Sequence, residues 1–177
     1  MLFLEKYFFV NSFDPDLIKC QDKNTTIIYR NYSKIDNVKE IIKLKEFCKK
    51  NYLKLILANN IKLAIKLRIK GVYLPSFNQK YSHLSYSFKK DFVLLGSAHN
   101  FKEINIKNKQ KVKRIFLSSI FKKNENYLGL NRFKNYINTS ENKFVALGGI
   151  ASSNIKKIKL TNAIGFAGIS FFKKKGP

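Results

Sequence analysis

Short, unbroken apolar runs recur along the chain, each closed by a polar or glycine-bearing cluster. They fall at Tyr7–Val10, Thr26–Tyr29, Leu53–Leu57, Gly71–Leu74, Phe92–Leu95, Ile115–Phe121, Phe144–Ile150 and Ala163–Ser170. Continuous rather than alternating apolarity predicts strands buried on both faces. Between the runs the period changes. Val38, Ile41, Leu44 and Cys48 mark one face of a helix, with Asp36 or Asn37 placed to cap it. Ile61–Ile69 predicts a shorter helix, Asn100 with Glu103 has capping-box spacing ahead of another, and Leu130–Ile137 predicts a third. A further helical pattern starts with Ile155 and Ile158. The connection Phe13–Asn24 has room for about two helical turns. Only seven residues follow Ser170, so a short first helix and no eighth helix are expected.

Strand–helix alternation of this kind argues for α/β structure, a parallel sheet covered by helices. Eight strands suggest closure into a (β/α)8 TIM barrel forming one domain over residues 1–177, compact against the ~250 residues usual for that fold. A doubly wound open sheet is the alternative, although Gly148-Gly149 does not make the G-x-G-x-x-G fingerprint of a dinucleotide site. The absent outer helix should leave apolar surface exposed around Phe166, Phe171 and Phe172, which makes a homo-oligomer plausible.

Charge adds a constraint. Lys and Arg number 35 against 11 Asp and Glu, a formal net charge of +24. Such a surface attracts nucleic acid or small phosphorylated ligands. The lysines are spread through helices and loops, however, so a compositional bias explains most of them. The runs Lys107–Arg114 and Lys173–Lys175 stand out and read as solvated faces or anion-attracting patches. No run approaches the ~20 apolar residues of a membrane span. The apolar start lacks a preceding basic segment and a small-residue cleavage site, so it reads as a first strand in a cytoplasmic protein rather than a signal peptide. Cys20 and Cys48 have no Cys or His at ligand spacing and read as reduced thiols. His83, in a Ser/Tyr-rich loop, is expected at the surface.

The chemistry gathers near the C-terminus. Val145-Ala146-Leu147 runs into Gly148-Gly149, and a helical pattern follows. A strand that ends on two glycines leaves amides free to hold a phosphate. The next strand ends at Ile169-Ser170, and in eight-stranded barrels the loops after strands seven and eight commonly bind phosphate.

Four segments, taken in order, resemble one family, thiamine phosphate synthase with its TenI-type thiazole tautomerase relatives. Leu55–Gly71 with Val72-Tyr73-Leu74-Pro75 is similar to its INDR…LA…GADGVHL stretch. Gly96-Ser97-Ala98-His99-Asn100 is similar to its G-x-S-x-H-[NS], Leu117–Phe121 with Leu128-Gly129-Leu130 to its GPVFPT…GL loop, and Val145–Ile150 to its VAIGGI. The resemblance spans about Tyr7 to Ser170 and implies a (β/α)8 barrel that joins a pyrimidine pyrophosphate to a thiazole phosphate with Mg²⁺. It implies that the thiazole phosphate meets the backbone of Gly148, Gly149, Ile169 and Ser170. The family's Q-x-R-x-K falls on Ile28–Tyr32, keeping Arg30, with Lys34 nearby. Its Asn-Asp after the third strand falls on Ala58-Asn59, next to Asn60, and its second metal-binding Asp falls on Asn78. Asn59 and Asn78 are thus the metal positions, each an Asn where the family has Asp. Ser97 keeps its place, and Lys122 with Lys123 supplies the cations of the sixth-strand loop. Arg30, Ser97 and Lys122 are the catalytic candidates the resemblance implies. The tautomerase branch carries a His where this chain has Ser119, and His99 reads as a packed or capping residue.

Three functions follow in order. A divergent synthase uses Arg30, Lys34, Lys122 and Lys123 where relatives use Mg²⁺ ligands. A degenerate relative binds thiazole phosphate without turnover. A basic nucleic-acid-binding module comes last, because Phe8, Phe9 and Phe116 fall on strands expected to be buried rather than on a stacking platform.

Overall fold

Each apolar run becomes a strand of one closed parallel barrel in sequence order. In a computed structural model that describes residues 4–33 and 37–173, the strands are β1 (Glu5–Val10), β2 (Thr25–Tyr29), β3 (Lys54–Ala58), β4 (Gly71–Leu74), β5 (Val93–Ala98), β6 (Arg114–Ser118), β7 (Phe144–Leu147) and β8 (Gly165–Gly168). Closure is made by β8 on β1, with Glu5 opposite Gly165 and Phe8 opposite Gly168. The open-sheet alternative is thereby excluded.

Alternation along the strands divides the core. Tyr7, Phe9, Ile28, Ile56, Tyr73, Leu95, Phe116, Val145 and Ala167 fill the barrel interior, while Phe8, Val10, Ile27 and their neighbours pack outward under the helices. Aromatic rings occupy the interior edge to face, Tyr7 with Phe116 at 4.8 Å, Phe9 with Tyr73 at 5.2 Å and Tyr73 with Phe116 at 5.3 Å. The N-terminal end is closed by charge. Arg114 at the start of β6 donates through Nε and Nη2 to both carboxylate oxygens of Glu5, each at 2.6 Å, and the Tyr7 hydroxyl donates to the same carboxylate at 2.5 Å.

The helical coat is uneven. Helices α1 (Pro15–Lys19), α2 (Val38–Lys50), α3 (Ile61–Lys66), α4 (Phe101–Lys109) and α5 (Gly129–Asn138) cover most of the barrel. Asn37 caps α2 by accepting from the Glu40 amide; the other cap candidate, Asp36, lies outside the described residues. Asn100 caps α4, and the Glu103 carboxylate reaches back to the His99 amide and ring, as expected of a capping pair. The expected helix at Ile155 is instead a 3₁₀ helix, Ile155–Leu160. Its inward-packed apolar residues, Ile155 and Ile158, lie at i and i+3, the spacing that a 3₁₀ turn aligns, while Leu160 is exposed. Between β4 and β5 only the 3₁₀ turn Ser82–Ser85 stands in for a helix.

Three expectations are corrected here. After β8 a single helical turn, α6 (Ser170–Lys173), folds back, and its Phe172 is buried against Phe8 and Phe166 at 5.1 and 5.8 Å. Phe166 and Phe172 are therefore covered rather than exposed, and Phe171 is partly buried with its ring 4.9 Å from Phe166. His83 is buried, its Nε2 at 2.9 Å from the Gln110 carbonyl. The run Lys107–Arg114 is not simply a solvated face, since Lys107 is fully buried and Arg114 is paired with Glu5. Among the described residues, no helix is long and apolar enough to cross a membrane.

Candidate functional site

Because the strands run parallel, every residue at a strand's C-terminal end shares one rim of the barrel. Arg30 follows β2, Asn59 and Asn60 follow β3, and Asn78 lies in the segment after β4. Ser97 is near the end of β5, Lys122 is in the loop after β6, Gly148 and Gly149 follow β7, and Ile169 and Ser170 follow β8. Lys34 lies outside the described residues.

A cleft of about 670 Å³ opens on the β8–β1–β2 side of this rim, with Arg30, Tyr32, Asp14, Ile169 and Lys173 among its walls. Arg30 is half-buried and its guanidinium stacks over the Phe9 ring at 4.5 Å. The barrel's aromatic interior thus fixes the orientation of this guanidinium above it. Below it lies Tyr73, fully buried. Burial pushes its phenol up, with Ser97 and Arg30 beside it opposing the shift. Ser97 is itself buried at 4% exposure, so this candidate faces Tyr73 within the wall rather than open solvent.

After β7, the strand next to β8, Gly148 and Gly149 take positive φ of 101° and 73°. Both conformations favour glycine. Packing requires it as well, because a Cβ on Gly148 would lie 2.3 Å from Ser119 Oγ and one on Gly149 2.5 Å from the Lys122 amide nitrogen. The loop after β6 lies directly on the glycines. Phe121 N–H donates to the Gly148 carbonyl at 2.9 Å, and Ser119 Oγ braces the loop by donating to the Lys122 carbonyl at 2.8 Å. Asn154 pins the far side, donating to the Gly149 carbonyl and accepting from the Ala151 amide, each at 2.9 Å. No turn or loop hydrogen bond among the described residues takes up the Gly148 or Gly149 amide.

The two metal candidates do meet, but as a pair of amides. Asn78 Nδ2 donates to Asn59 Oδ1 at 2.7 Å. Asn59 holds φ +60°, a left-handed conformation that Asn tolerates. Asn60 is occupied as the cap of α3, accepting from the Leu63 amide at 2.9 Å. Mg²⁺ demands hard oxygen ligands and usually one or two carboxylates. Among the described residues there is no group of three or more His, Cys, Asp or Glu able to hold a metal. The oxygen of Asn59 is turned onto an N–H, and neither asparagine brings a charge. These residues do not fit a protein-held Mg²⁺.

Three residues near the rim were not singled out as site residues from the sequence alone: Tyr73, Tyr32 and Lys107. Lys107 carried a usable signal, since its i+3 spacing from Ile104 places a lysine on the inner face of α4.

Residues 18–172 match the thiamine monophosphate synthase family. No curated protein sequence matches the chain. Among solved structures, a thiamine phosphate pyrophosphorylase from Pyrococcus furiosus superposes with a TM-score of 0.73 at 13% identity, covering 97% of this chain and 92% of that one. The FabK structure from Thermotoga maritima gives 0.72 at 11% identity, over 97% of this chain and 60% of that one. A structure titled native KDPGal gives 0.69 at 10% identity, over 94% and 83%. At these identities the likeness is one of fold.

Proposed function

We propose, for a chain that belongs to the thiamine monophosphate synthase family, that it acts in thiamine biosynthesis, joining a hydroxymethylpyrimidine pyrophosphate to a thiazole phosphate. The observation that carries the proposal is the Gly148-Gly149 corner. Two adjacent residues at positive φ, braced on both sides, leave amides without loop partners among the described residues, beside the end of β8. Backbone amides fixed in this way suit a phosphate dianion. The thiazole phosphate is proposed to bind there and at Ile169 and Ser170.

In the reaction the bond from the pyrimidine methylene to the diphosphate oxygen breaks and the thiazole nitrogen takes the methylene. Both electrons of the breaking bond leave with the diphosphate, so charge develops on its oxygens and must be met in place. Arg30, held over Phe9, and Lys122, next to the glycine corner, are the fixed cations proposed for that task. Ser97 is proposed to act through Tyr73 and Arg30 rather than by touching substrate. No step uses a protein-held metal.

A second reading, a barrel that binds thiazole phosphate without turnover, is favoured by the Asn59–Asn78 bond, made by two amides where the resemblance expects carboxylates. Incubating the protein with both substrates, with product followed by mass spectrometry and thiazole phosphate binding by calorimetry, separates the two. Product with saturable binding supports the transferase, binding without product supports the second reading, and neither result sinks both. Arg30→Ala is expected to abolish product while retaining thiazole phosphate binding.

A further inference from the structure

The reason the two asparagines sit amide to amide lies one layer beneath them. Asn78 belongs to the segment between β4 and β5, where the helix is missing. That segment is wrapped instead on a lysine. Lys107 of α4 is 0% exposed, and its Nζ donates to the Pro75 carbonyl, the Asn78 carbonyl and Gln110 Oε1, each at 2.8 Å. An ammonium has three donors, and all are spent on this segment and its support. Gln110 Nε2 reinforces it, donating to the Asn78 carbonyl at 3.0 Å and the Lys80 carbonyl at 2.8 Å. The Asn78 side chain is held at both ends: Nδ2 donates to Asn59 Oδ1 at 2.7 Å, and Oδ1 accepts from the Lys80 amide at 3.0 Å. Its neighbour Phe77 is held edge-on against Tyr32 from the loop after β2, at 5.4 Å.

We propose that Lys107 is the resident cation of this rim: its ammonium fixes the β4–β5 segment so that Asn78 locks onto Asn59, and the position where the family resemblance expects a divalent ion is a closed, metal-free joint. A metal entering there would have to break the Asn59–Asn78 bond. It would gain no anionic oxygen and would face a buried positive charge across one peptide carbonyl. Three oxygen acceptors around Nζ match the three donors of the charged ammonium. The family reading enters only to say where a metal is expected; the proposal does not depend on the substrate assignment.

The test is a titration of the full chain with Mn²⁺, a paramagnetic stand-in for Mg²⁺, followed by the electron paramagnetic resonance signal of the free ion. The wild type is expected to show no saturable site. The double variant Asn59→Asp/Asn78→Asp, its fold checked by circular dichroism, is expected to gain one. Adding Lys107→Gln to that variant is expected to tighten it further. A saturable wild-type site that disappears in Asn78→Ala overturns the proposal, and so does a folded double-Asp variant that gains no site. If the double variant does not fold, the wild-type titration with Asn78→Ala still decides. Failure of thiazole phosphate binding would remove the function proposed above and leave this joint standing.

Discussion

At Gly148 a missing side chain does two jobs at once. Its φ of 101° lies where only glycine is at ease, and the space a Cβ would need is taken by Ser119. Gly148→Ala is therefore expected to cost on the order of 2–4 kcal/mol, measured by urea denaturation. The loop bearing Lys122 should shift with it. In the sequence two glycines after an apolar run marked a turn at this position; that its amides hold a phosphate is the proposal made above. Lys107 and His83 were much harder to read. Both are polar residue types that usually face water, and both are buried because backbone carbonyls receive them. Composition alone carries no trace of such acceptors, which exist only once the β4–β5 segment has folded. Lys107→Met, similar in length but without donors, is expected to destabilise by about 3 kcal/mol by taking the ammonium from the Pro75 carbonyl and Gln110 Oε1. Amide hydrogen exchange should also show the Asn78 and Lys80 amides losing protection, whereas a general loosening would spread evenly.

Among the elements, the strands were the most legible, because burial on both faces forces unbroken apolar runs. The helices were legible where the apolar face repeats over several turns, as in α2. They failed where support comes from polar groups or from few contacts. The 3₁₀ helix Ile155–Leu160 shows an apolar spacing that fits either an α-helical or a 3₁₀ turn. The terminal turn α6 matters more than its four residues suggest. Phe172 lies between Phe8 and Phe166 and covers the outer face where β8 meets β1. That seam closes the barrel, so it couples the two ends of the chain. Phe172→Ala is expected to cost about 3–5 kcal/mol, read by chemical denaturation. It should also uncover Phe8 and Phe166, so light scattering should show association in the variant beyond that of the wild type.

Taken as a whole, the molecule carries a formal +24 with only 11 carboxylates to offset it, so each well-placed acid matters. Glu5 ties β1 to β6 across the N-terminal end of the barrel. Burial alone would raise its pKa, but the hydrogen bonds from Arg114 and Tyr7 and the Arg114 charge outweigh it and hold the carboxyl below its ordinary range. A folded-state pKa below the unfolded value of about 4.3 means the unfolded chain binds the proton more tightly. The stabilisation is thus complete above that value and is lost as pH falls through the folded pKa. Glu5→Gln should cost on the order of 1–3 kcal/mol at neutral pH, because it leaves the Arg114 guanidinium with a neutral partner. The gap between the two proteins should close progressively below about pH 4. Added salt should narrow this gap only slightly, since the pair is partly shielded from solvent. It should stabilise both proteins, because the repulsion among the exposed lysines is long-ranged and screens over about 10 Å at 0.1 M. Urea denaturation of both proteins across pH 3–7, at low and high salt, separates the two effects. A difference that stayed constant with pH would assign the Glu5 contribution to packing rather than to charge.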